Sequence, residues 1–200
     1  MINPHFVIIG ALLQLLGISS YLVDTVKGKA RPNRVSWFMW ALGPFIAFSA
    51  ELSHHIGTIS LMTFMSGFGP LLIFLVSFLN KKSFWKTGKT DLLCGGLSCL
   101  GLILWQLTGV GNLAIFFSIV ADFLAWLPTF VKSYKEPESE NWHFFLFETI
   151  SAGITLLAIQ KWEFADWGWP IWISSSSIVL VICIKFKVGP FIDKAVATHG

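Results

Sequence analysis

The sequence predicts an all-α membrane protein of seven transmembrane helices. They form two parallel triple-helix bundles joined by a linker helix (3+1+3), with the N-terminus outside and the C-terminus cytoplasmic. Three observations predict it. Hydrophobic residues make up 54% of the 200 residues and charged residues 12%, with a mean hydropathy of +0.70; a soluble domain carries about twice that charged share. The apolar residues come in blocks near the ~20 residues needed to cross a ~30 Å hydrocarbon core. A short basic elbow, "KGKARPNRVSW" at 27–37, returns in similar surroundings as "KSYKEPESENWH" at 132–143.

Apolar runs and their breaks set the spans at about 6–26, 35–53, 57–79, 90–108, 112–133, 142–160 and 167–187. Each has helical length, and a sheet with unpaired edges cannot cross lipid. No Lys or Arg precedes the first run, so it reads as a span rather than a cleaved secretory signal. With seven spans, thirteen of the fourteen basic residues fall on one side, in the loops after spans one, three, five and seven; only Lys161 falls on the other. The positive-inside rule makes that side cytoplasmic. Trp85, Trp142, Trp162, Trp167 and Trp169 lie near span ends, where amphipathic rings anchor. The expected location is the cell (inner) membrane, with the lipid bilayer as a partner. The net charge of +3 belongs to the loops and does not point to nucleic acid. Cys94, Cys99 and Cys183 sit within apolar blocks as packing residues, and no spacing suggests a metal site or a cofactor.

Sliding the chain on itself so that Lys27 falls on Lys135 also brings Asn33 onto Asn141. In the flanking helices Gly10, Gln14, Gly17 and Tyr21 fall on Ser118, Asp122, Ala125 and Thr129, and each set occupies one helix face. In the next helix Trp40, Gly43 and Ala47 fall on Glu148, Ser151 and Thr155. The domains are therefore a first bundle at 1–80, a linker helix at 81–111 and a second bundle at 112–200. An odd number of spans between the copies gives both the same orientation, as in small-solute transporters whose site lies where the halves meet.

The stripes nominate the site. Asp122, in "SIVADFLAW", and Glu148, in "HFFLFETISAG", are carboxylates inside apolar spans, which cost about 2.5–3.5 kcal/mol to insert and so face a cavity or a partner. They are expected to bind solute and to carry a coupling proton, or else to fasten the bundle by hydrogen bonds. Asp24, beside the basic elbow, reads as an interfacial partner of Lys27. Gln14 and Tyr21 can donate and accept hydrogen bonds. Trp40 and Trp126 offer flat faces for a ring, or pack. Ser151 completes the stripe of Glu148, and Ser174 of "WISSSSIV" shares a face with Ser177. No nucleophile–base constellation or nucleotide motif is present and the loops are short, so the chain is not read as an enzyme.

The layout, with its elbow after the first helix of each repeat, resembles the PQ-loop superfamily, which includes the SWEET sugar transporters. "LPTFVKSYKEPES", 127–139, is similar to that family's helix end and loop, with Pro128 on the proline of the Pro-Gln pair. Thr129 replaces the glutamine, and Ser20 and Tyr21 stand at the corresponding places of the first repeat. The resemblance implies alternating access, with Pro128 as a hinge. The third helices lack the asparagine typical of SWEET sugar pockets, which lowers sugar as the substrate. A nucleoside, vitamin or amino-acid-like solute fits as well, by analogy with the nicotinamide-riboside carriers of the same layout. The expected function is thus movement of a small polar solute by facilitated diffusion or proton coupling. The alternatives are a seven-helix receptor or sensor and a non-transporting scaffold. Whether the chain forms a homo-oligomer stays open.

Overall fold

The computed structural model describes residues 2–53, 60–80, 85–108, 111–160 and 162–199. Among these residues the chain is all helical, without strands: α1 (Val7–Val26), α2 (Arg34–Ser53), α3 (Ser60–Val76), α4 (Lys89–Thr108), α5 (Gly111–Lys135), α6 (Trp142–Ala158), α7 (Phe164–Lys185) and α8 (Val188–His199). Seven helices match the seven apolar blocks in order. The eighth was not expected. It follows a turn in which Lys187 adopts a left-handed φ of 50°, and it packs on α5 and α7. Lys81, Lys82 and Lys161, which entered the charge count, lie outside the described residues.

Local chemistry explains the elbows. α1 stops at Gly28, whose φ of 75° is the left-handed conformation that closes a helix C-terminus at little cost. Asn33 then caps α2, its Oδ1 accepting from Val35 N at 3.1 Å. In the second elbow Pro137 opens a single 3-10 turn, Pro137–Ser139, and Asn141 caps α6 by accepting from Phe144 N at 3.1 Å. The repeated asparagine is thus the repeated helix cap.

Packing follows the repeat. α3 lies against both α1 and α2, and α7 against both α5 and α6. The two sets meet through α1 with α6 and through α2 with α5, and exchanging the halves turns one of these pairings into the other. α4 lies along α5 and also touches α2, and Ser98 Oγ donates to Ala121 O at 2.7 Å. The small stripe of α1 forms the seam with α6: a Cβ at Gly10 would stand 2.7 Å from Ser151 Oγ, and one at Gly17 3.2 Å from Phe144 Cα. Glycine here lets two backbones approach.

The outer surface is apolar. Leu12, Leu16, Leu93, Leu107 and Leu157 are each more than half exposed. Among the described residues two helices, Pro4–Val26 and Asp166–Lys185, are long and apolar enough to cross a membrane.

Candidate functional site

Inside this frame a cleft forms where α2, α3, α5, α6 and α7 converge. Trp40 of α2 and Ser66 of α3 face it from one half; Asp122 and Trp126 of α5, Glu148 of α6 and Ser177 of α7 face it from the other. The cleft is narrow. The space wide enough for the centre of a water molecule is about 20 Å³, room for about one water. A smaller hollow of about 10 Å³, lined by Gln14, Ile18 and Met65, adjoins it through Glu148, Phe144 and Pro70.

The two acids are held from one helix. Trp172 Nε1 donates to Asp122 Oδ2 at 2.7 Å, and Ser177 Oγ donates to Glu148 Oε2 at 2.6 Å. Both donors are neutral and both belong to α7. A carboxylate can accept about four hydrogen bonds, so each acid keeps most of its acceptor capacity free. Three further polar atoms of cleft residues are buried without a partner: Ser66 Oγ, Trp126 Nε1 and Trp169 Nε1. Pro44 and Pro70, also in the wall, each remove the helical hydrogen bond to the carbonyl four residues earlier, at Trp40 and Ser66. Around Trp126 the aromatic rings are layered, with Phe130 stacked at 4.7 Å and Phe123 at 6.1 Å between centroids.

A second constellation lies between the elbows. Arg31 N donates to Ser139 O at 2.8 Å, and the Arg31 guanidinium pairs with Glu136. Lys132 pairs with Glu140, both side chains fully buried, and its Nζ also donates to the Arg31 carbonyl. Tyr21 Oη donates to Glu140 Oε2 at 2.5 Å, and its ring packs on Trp37 with centroids 4.7 Å apart. Asn141 Nδ2 donates to Asp24 Oδ2 at 2.6 Å and to Ser20 Oγ at 3.0 Å. The two elbows that the repeat brings into register are therefore clasped to each other. The Asp24 carboxylate is taken up by Asn141 of the opposite elbow.

Of the residues singled out in the sequence, the structure brings Trp40, Asp122, Trp126 and Glu148 into one cleft and sets Gln14 in the hollow beside it. Tyr21 lies in the elbow clasp, one helical turn beyond Gly17. Ser151 is buried in the α1–α6 seam. Ser174 is half-buried outside the cleft lining, which takes Ser176 and Ser177 from the same serine run. Four consecutive serines leave the facing pair undecided until the helix is packed. Pro128 is buried within α5, which continues to Lys135. Trp172, Lys132 and Glu140 carried no sequence signal. Trp172 reads as one of many aromatics, and the other two read as loop charges.

Comparison with known proteins finds no matching family model, no matching curated protein and no matching solved structure.

Proposed function

We propose that the chain is an integral membrane transporter of the SWEET-like kind. In this reading seven helices span the bilayer, with the N-terminus outside, the C-terminus and elbows on the cytoplasmic side, and α8 along the cytoplasmic face. One observation carries the reading: a cleft with walls from both halves holds two carboxylates that have neutral partners only. Acids that merely fastened the bundle would have no need to share a cleft with buried, unpartnered polar atoms. The exposed leucines and the two span-length helices support placement in lipid.

Glu148 and Trp40 each lie six residues inside their helices, about 9 Å from the elbow end at ~1.5 Å per residue. Trp169 lies near the opposite end of α7, so the cleft runs away from the elbows. The clasped elbows then close the cytoplasmic end, and the narrow cleft is the contracted form of the path. Carriage requires the halves to separate there and the cleft to widen, alternately with the other end. Facilitated diffusion is the simplest form; a proton carried by Asp122 or Glu148 is the coupled form.

The test needs no knowledge of the solute. Ser66→Cys is introduced into a chain whose Cys94, Cys99 and Cys183 are replaced by alanine. A membrane-impermeant thiol reagent is then applied to each face of sealed vesicles in turn. Labelling from both faces is expected of a carrier. Labelling from one face only, or from neither, contradicts carriage and favours a receptor or scaffold.

A further inference from the structure

We infer that the solute received by this cleft is a small organic cation carrying a hydrogen-bond acceptor. The inference rests on the carrier reading for passage across the membrane, though not for binding.

The charge of the wall argues for it first. Asp122 and Glu148 line the cleft, and no Lys, Arg or His does so among the described residues. A cation moved out of water must be neutralised where it lands, and two carboxylates with unused lone pairs do that. Their neutral anchors, Trp172 Nε1 and Ser177 Oγ, aim the acids without cancelling their charge. An anionic solute meets repulsion from the same groups. A neutral polyol supplies no counter-charge, and the acids must then be neutralised by protons instead.

The rest of the lining agrees. Trp40 supplies an indole, the ring that binds cations best over its face; Trp126, stacked between Phe123 and Phe130, offers its edge.

The acceptor on the ligand comes from a separate observation. Trp126 is 9% exposed, lines the cleft, and its Nε1–H has no partner. An indole N–H can only donate, so an oxygen or aromatic nitrogen on the ligand satisfies it. Ser66, 6% exposed with an unpartnered hydroxyl, offers a second such contact. Ammonium alcohols and heteroaromatic cations with an amide have this chemistry.

The experiment uses the purified full chain in detergent. Thermal stability is followed against choline and 1-methylnicotinamide, and against their neutral counterparts 3,3-dimethylbutanol and nicotinamide, with glucose as a further neutral solute. At least one cation is expected to raise the melting temperature with saturation while its neutral counterpart does not. Asp122→Asn and Glu148→Gln, each removing one charge, should weaken that binding by about ten- to a hundredfold. Should a variant fail to fold, protection of Ser66→Cys from thiol modification by the same cation, with the acids intact, gives an independent readout. Failure of both cations to stabilise or protect the chain, or equal binding by the neutral counterparts, overturns the inference. A neutral solute that binds and crosses sealed vesicles overturns the cation and leaves the carrier standing. A cation that binds but never crosses does the reverse.

Discussion

Lys132→Met is expected to cost about 3–5 kcal/mol of folding stability, the largest effect of any single change outside the cleft. Lys132 and Glu140 both have fully buried side chains, so removing the ammonium strands a carboxylate away from water. Tyr21 Oη remains bonded to Glu140, but a neutral hydroxyl does not replace the lost charge. The double variant Lys132→Met with Glu140→Leu removes both charges at similar volume and should recover most of the loss, because two desolvation penalties disappear with the attraction. Arg31→Ala is the contrast. Its pair with Glu136 is more than a third exposed on each side, and such pairs are worth about 0–1 kcal/mol. Unfolding of the wild type, Lys132→Met, Glu140→Leu and the double variant in mixed detergent micelles gives the cycle. Additive losses from the two single changes would show that Lys132 and Glu140 do not act as a pair.

Asn141→Ala should cost about 2–4 kcal/mol, the sum of a lost helix cap and of a buried hydrogen bond to the Asp24 carboxylate. Asn141→Asp separates the two contributions. It keeps the cap acceptor but sets a second carboxylate where Asp24 accepted a donor, so it should be no better than alanine. Asn33 performs the same two tasks in the first repeat, capping α2 and donating to Asp91 Oδ1 at 3.1 Å. Asn33→Ala should therefore fall in the same range. The same unfolding titration reads all three, and a loss below about 1 kcal/mol at Asn141 would mean that the clasp does not hold the halves.

These two sites show where the sequence was readable. Asn33 and Asn141 came into register because helix caps are local: the residue type, its place before an apolar run and its recurrence are all visible along the chain. Helix existence was legible for the same reason. The stripe of Gly10, Gln14 and Gly17 showed itself as an inward face by period, and the structure lays it along α6. The clasp had no such signal. Lys132 with Glu140 and Tyr21 with Glu140 join groups whose meeting depends on how two helical sets dock, and nothing periodic marks them. Lys132 looks like any loop lysine until the Arg31 carbonyl, Glu140 and the Trp85 ring close around it. The eighth helix was hidden differently. Its 12 residues follow the last apolar block, and the positively charged stretch around them reads as a tail. For the acids, legibility stopped at burial. Position within an apolar span marked Asp122 and Glu148, but their anchors Trp172 and Ser177 emerge only from the way α7 is turned.

Whether the clasped elbows open is the question on which carriage turns. Arg31→Cys and Ser139→Cys, joined at residues whose backbones already share a hydrogen bond, place a reducible lock across the clasp in the cysteine-replaced chain bearing Ser66→Cys. Labelling of Ser66→Cys from the cytoplasmic face of sealed vesicles is then compared before oxidation, after it, and after reduction. If the elbows are the gate, oxidation abolishes cytoplasmic labelling, leaves labelling from the other face, and reduction restores the first. Unchanged cytoplasmic labelling with the lock fully formed would contradict a gate at the elbows and the alternating path built on it.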